Sequence, residues 1–200
     1  MNFLAHILLS GNKEGVIMGN YVGDFIKGLL TEEKTKDWNP DYVLGLKLHR
    51  FIDSFTDTHE LVRDTKKMAA ASNGKLAGIV TDIYFDYFLA KYFNDYASEP
   101  LHVYAHHFYT ITERNEHLIP PGMVPMVRSM IRQDWLTCYA TLDGIDLTFQ
   151  RLSRRAGFLA PIRTAVSELR EHEDFYHEKF NRFFPELQMQ ADRFISGNEQ

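Results

Sequence analysis

Apolar side chains return at three- and four-residue intervals along nearly the whole chain, and strand-like alternation is nearly absent. Such spacing gives a helix one stripe to bury and one face to leave wet, so the chain is expected to pack helix on helix. Residues 14–30 carry Val16, Ile17, Tyr21, Phe25 and Leu29 in this register, and the next segment, to about Phe55, carries Val43, Leu46, Leu48, Ile52 and Phe55. Asn39-Pro40 opens that second segment, with Asn as the cap and Pro in the first turn. Breaks fall at Gly11-Asn12, Thr31 to Asp37, Asn73-Gly74 and Pro120-Pro121-Gly122. Helices are therefore expected near 1–10, 14–30, 40–55, 58–71 (capped by Thr58), 75–97, 100–118, 123–141, 145–155, 161–172 and 174–196, with Pro185 kinking or breaking the last. The expected architecture is an all-α, single-domain bundle of about eight to ten helices spanning residues 1–200.

Composition narrows the function classes. Cys138 is the single cysteine, which excludes an internal disulfide and a cysteine-based zinc site. A formal charge of −5 lacks the basic stripe of a nucleic-acid binder. Met1 to Ser10 is apolar but short, carries no basic leader and already contains His6, and no apolar run reaches membrane-spanning length. A cytoplasmic protein binding neither membrane nor nucleic acid is expected.

Four segments hold residues suited to chemistry. In Gly19-Asn20-Tyr21-Val22-Gly23-Asp24-Phe25, glycines within a helical pattern cost about 1 kcal/mol each relative to Ala, which close helix packing or close approach to a ligand would offset. Asn20 and Asp24 share a face. In His49-Arg50-Phe51-Ile52-Asp53, with Asp57 beyond, His49 and Asp53 stand four apart, a spacing for two ligands on one metal or for a histidine oriented by a carboxylate. Asp82 and Asp86 share a face of a helix that is apolar nearly all round, where carboxylates must be paired, protonated or bound to a cation. A metal is the expected partner, since that helix offers only Lys75 and Lys91, near its ends. His6 lies in the apolar run Asn2-Phe3-Leu4-Ala5-His6. Oxygen and imidazole ligands without cysteine suit Mn, Mg, Fe or Zn.

These segments, with Gly45, Thr56-Asp57 and Phe88-Leu89, resemble the acyl carrier protein phosphodiesterase family, most densely over residues 1–95 and more weakly at Trp135, Tyr139 and Ser153-Arg154-Arg155. The resemblance implies an all-helical fold related to HD-type phosphohydrolases, a divalent metal, typically Mn²⁺ with Mg²⁺ or Fe²⁺ as alternatives, and removal of 4′-phosphopantetheine from holo acyl carrier protein. The chain departs from that pattern in having no adjacent His-Asp doublet, and Tyr87 stands where the family often has His. The expected metal ligands are His6, Asp24, His49, Asp53, Asp82 and Asp86. The expected catalytic groups are His6, Asp24, His49 and Asp86, with His6 as the acid that assists the leaving group. Asn20, Arg50, Arg63, Lys66 and Lys67 are the expected substrate-binding side chains; Arg63, Lys66 and Lys67 would face an acidic carrier protein, with Arg151, Arg154 and Arg155 as a second basic stretch. Two other readings stay open on the residues alone: a hydrolase of small phosphoesters or nucleotides, and a non-catalytic helical binding module.

Overall fold

The computed structural model describes residues 1–198, which form twelve α-helices and no strand. They are α1 (Phe3–Leu8), α2 (Glu14–Val22), α3 (Glu32–Thr35), α4 (Pro40–Thr58), α5 (Glu60–Asn73) and α6 (Ala77–Lys91) in the first half. The second half holds α7 (Leu101–Arg114), α8 (Val124–Arg132), α9 (Trp135–Cys138), α10 (Leu142–Ser153), α11 (Ala165–Glu171) and α12 (Glu173–Asn198). The all-α class is as expected, and the count exceeds eight to ten because of the four-residue α3 and α9.

α6 is the hub. Ile83, Tyr84, Phe85, Tyr87, Phe88 and Leu89 are all buried, so from Ile83 to Ala90 this helix is covered on every side. The phenylalanines of α12 close over it: Phe180 packs edge-on to Phe85, and Phe183 lies beside both Phe85 and Phe55. Pro185 sits inside α12 without ending it, so of the expected kink or break the break does not occur.

α2 and α4 approach backbone to backbone. A methyl group on Gly19 would overlap the Tyr42 carbonyl oxygen, and one on Gly45 would overlap the Val16 carbonyl oxygen. These glycines let two helices meet with no side-chain layer between them, which offsets their propensity cost. Asn39 Oδ1 accepts from Asp41 N–H at 2.8 Å, so Asn39-Pro40 starts α4 as expected.

Several expected boundaries move. The helix expected over 14–30 ends at Val22, followed by one 3-10 turn at Gly23–Phe25. The chain then leaves the bundle through Gly28 at φ 81°, so Phe25 and Leu29, expected on a buried stripe, are exposed. Thr58 does not cap α5; its hydroxyl donates to the Ser54 carbonyl at 2.8 Å, and His59 Nδ1 accepts from Leu61 N–H instead. The helix expected over 123–141 divides into α8 and α9 because Asp134 adopts a left-handed φ of 45°.

Candidate metal centre

Asn20, buried on α2, orients two histidines from two other helices. Its Oδ1 accepts from His6 Nδ1–H on α1 at 2.8 Å, and its backbone carbonyl accepts from His49 Nδ1–H on α4 at 2.8 Å. The amide cannot turn over, because its Nδ2 donates to the His6 carbonyl at 2.7 Å and to Ser10 Oγ at 2.9 Å. With both Nδ1 atoms committed as donors to oxygen, both Nε2 atoms are left to face inward. The rings stack, with centroids 4.2 Å apart and planes at 22°.

Carboxylates meet those nitrogens. His49 Nε2 is 3.2 Å from Asp53 Oδ2 and 3.4 Å from Asp24 Oδ1, while His6 Nε2 is 3.2 Å from Asp53 Oδ1. His6 Nε2 is nevertheless buried without a hydrogen bond, so it lies within ion-pair range but outside hydrogen-bond geometry. One donor atom from each of His6, His49 and Asp53 lies within 4.8 Å of the others, a group able to hold a metal ion. The fit to a divalent cation is good on chemical grounds. Two imidazole nitrogens and a carboxylate oxygen form a mixed N/O set, each imidazole is backed by an oxygen acceptor, and one buried lone pair lacks a partner.

The electrostatics follow from this geometry. Burial pulls the His49 imidazolium down, but the hydrogen bonds and charges of Asp24 and Asp53 outweigh it and push the pKa up to about 9. Burial pushes Asp53 up, and its contacts with His49 and His6 prevail, holding it well below the usual carboxylate range. The His49 contact lowers Asp24, against burial. Burial lowers His6, which keeps its ring neutral and its Nε2 lone pair available.

The family model for acyl carrier protein phosphodiesterase matches residues 1–187. The chain belongs to that family. It is 28% identical over 193 residues to the acyl carrier protein phosphodiesterase of Photorhabdus laumondii, a match that covers 96% of each chain. To the enzymes of the same name from Escherichia coli K12 and Salmonella agona it is 28% identical over 198 residues and 27% over 194, covering 96% of this chain and 98% of theirs. No solved structure matches it.

In this family member the other expected site residues lie as follows. Asp24 stands on the 3-10 turn after α2, its side chain 70% exposed, at the open side of the histidine pair. Gly23 beside it has no room for a methyl group, which would overlap the His49 ring. Asp86, expected as a ligand, is outside the group of His6, His49 and Asp53 and meets backbone N–H groups. Its Oδ2 accepts from Leu4 N–H at 2.9 Å and its Oδ1 from Ala5 N–H at 3.4 Å, so it caps α1, whose N-cap residue Asn2 makes no cap hydrogen bond. Burial pushes the Asp86 carboxyl up to about 7, against the pull of those two N–H groups and the Met1 ammonium. Asp82 Oδ1 lies 3.3 Å from the Met1 ammonium, which is also 3.8 Å from Asp53 Oδ1. In the structure Asp82 and Asp86 thus find partners in the chain's own N-terminal segment.

The expected substrate-binding set separates as well. Asn20 is wholly buried and reaches only protein groups. Arg50 donates to the Ile26 and Gly28 carbonyls and clamps the loop after the 3-10 turn. Lys66 pairs with Asp57 at 2.6 Å and Lys67 with Asp64 at 3.2 Å, while Arg63 is exposed on α5. Ser10, which steadies the Asn20 amide, carried no sequence signal beyond its place after the apolar run.

Proposed function

We propose that this chain is a metal-dependent phosphodiester hydrolase that removes 4′-phosphopantetheine from holo acyl carrier protein. Family membership supports the substrate class. The observation that carries the metal is the inward-facing pair of Nε2 atoms set against Asp53, with each Nδ1 spent on Asn20.

His6, His49 and Asp53 would hold the cation, with Asp24 as the nearest further oxygen donor. When bound, a divalent ion there supplies Lewis acidity toward a phosphoryl oxygen and a nucleophile at neutral pH. Mn²⁺ is the ion the family resemblance implies, with Mg²⁺ or Fe²⁺ as alternatives, and a mixed imidazole and carboxylate set accepts a divalent ion of this kind. Asn20 holds both imidazoles in the tautomer that presents Nε2. His6 acts as a ligand and not as the leaving-group acid, because its only committed proton is the one shared with Asn20. Asp24, exposed and bordering the neighbouring cavity, is the carboxylate placed to exchange protons with substrate or water. Asp86 and Asp82 set the position of α1 and so of His6. Among the described residues no helix is long and apolar enough to cross a membrane.

The test is direct. Metal-stripped protein is incubated with holo acyl carrier protein, with and without Mn²⁺, and the carrier's mass is followed. Loss of the phosphopantetheine mass only with metal, and its absence in His49→Ala and Asp53→Asn, is the expected result. Metal-independent cleavage overturns the cofactor assignment, and no cleavage under any metal overturns the substrate.

A further inference from the structure

A cavity of about 240 Å³ opens beside the metal centre and shares Asp24 with it. Its lining carries both signs of charge. Asp24 and Asp82 line it together with Arg151 and Arg155, which are brought there by the C-terminal end of α10 and the residues just after it. Both guanidinium groups lie over Trp135 in cation–π range, at 5.6 Å and 6.0 Å from the ring centre. Neither forms an ion pair with a carboxylate among the described residues. Ile79, Ile83 and Leu152 add apolar wall.

Two guanidinium groups held beside a cavity, with no carboxylate to neutralise them, form a site for an anion. Arginine offers a planar fork of donors that matches phosphate oxygens, and stacking on an aromatic ring pre-orders that fork. The basic stretch on α5 is less suited, since Lys66 and Lys67 are already paired with Asp57 and Asp64.

We propose that Arg151 and Arg155 are the phosphate-binding wall of the substrate cavity. They take non-bridging oxygens of the phosphodiester, and Trp135 with the apolar wall takes the branched hydrocarbon part of the arm next to the phosphate. This assignment rests on the phosphodiesterase reading above and extends it to the residues that seat the substrate. Charge-assisted hydrogen bonds of this kind are each worth roughly tenfold or more in affinity.

The experiment reads binding and not turnover. The chain has two tryptophans, and Trp38 packs on Tyr42, away from the cavity. A Trp38→Phe background therefore leaves Trp135 as the only indole reporter. This protein, with Mn²⁺ present, is titrated with 4′-phosphopantetheine and with pantetheine, which lacks the phosphate. The expected result is a Trp135 fluorescence change with 4′-phosphopantetheine at least tenfold tighter than pantetheine. Arg151→Gln with Arg155→Gln should lose that preference, pantetheine binding should stay unchanged, and the corresponding double Lys variant should recover only part of it. Thermal melts check the fold, and if the double Gln variant melts early, Arg155→Gln alone, at the more exposed position, gives the same comparison. No binding by the parent, parent-like binding by the Gln variants, or equal loss of both ligands overturns the assignment. Arginine-dependent binding without cleavage of holo carrier protein sinks the proposed activity and leaves the phosphate wall standing. Cleavage without arginine dependence does the reverse.

Discussion

Replacing Asn20 by Ala tests whether one amide orders the metal centre. The side chain accepts from His6 Nδ1 and donates to the His6 carbonyl and Ser10 Oγ, all within the core. The carbonyl keeps a donor after the change, because Ser10 Oγ still reaches it at 2.7 Å. The His6 Nδ1–H is the group left without a partner. Two lost buried hydrogen bonds at about 1 kcal/mol each, plus about 1–3 kcal/mol for the orphaned donor, place the cost at roughly 3–5 kcal/mol. For a domain of this size that lowers Tm by about 6–20 °C. His49 keeps its own acceptor, the Asn20 backbone carbonyl, so only one imidazole loses its bearing. Mn²⁺ affinity should then fall about 10- to 100-fold, as when an outer-shell partner is removed from a metal-binding histidine. Urea unfolding of metal-stripped protein measures the first quantity and calorimetric Mn²⁺ titration the second. A variant that loses the stability but binds Mn²⁺ like the parent would falsify the orienting role and leave Asn20 as a brace of the core.

Three more outcomes are expected. Gly23→Ala should reduce kcat/KM on holo carrier protein by at least about tenfold with little change in melting, because a helix-compatible methyl there displaces the His49 ring; Gly122→Ala, in open space, is the control, and equal activity of the two variants would sink the steric argument. Asp86→Asn should keep Mn²⁺ binding and turnover within a few-fold of the parent. Its stability relative to the parent should also rise as pH climbs from about 4 to 7. The folded parent holds the Asp86 proton up to about pH 7 while the unfolded chain releases it near pH 4, a penalty of up to about 4 kcal/mol that the amide escapes. Urea midpoints across that range check it, and a metal-binding defect would return Asp86 to the ligand set. Metal-stripped parent should gain stability from the His49 contacts below about pH 6.5 and lose it as pH rises through about 9, by roughly 3 kcal/mol. Mn²⁺ should restore it at the high end, and a flat profile would contradict the paired imidazolium.

Much of this fold is readable from periodicity, since the core helices bury the residues their spacing selects. The start of α4 at Asn39-Pro40 and the His49–Asp53 pair one turn apart are local features, and each appears in the structure as the sequence implies. Two features hidden from the sequence share one cause, partners that are backbone. Asp86 was assigned a metal because no cationic side chain is near it in sequence, yet the N–H groups of Leu4 and Ala5 meet it, and no residue type announces them. Asn20 was placed toward substrate because its periodicity does not show that its own carbonyl points at a histidine from α4. The stripe through Phe25 and Leu29 is helical in spacing, but α2 stops where the His49 ring occupies the space beside Gly23.

The contact between Gly19 and Gly45 has a consequence for tolerance to change. Side-chain cores drift, because a neighbour can shift rotamer when a methylene is added or lost. Carbonyl oxygens and α-carbons have no rotamer to shift. The span from α2 to His49 is therefore set by contact between two backbones, a stop that no rotamer change can relax. Softening the aromatic layer, for instance by Phe180→Leu, should lower Tm while the Asn20 carbonyl on α2 keeps its place against His49 on α4.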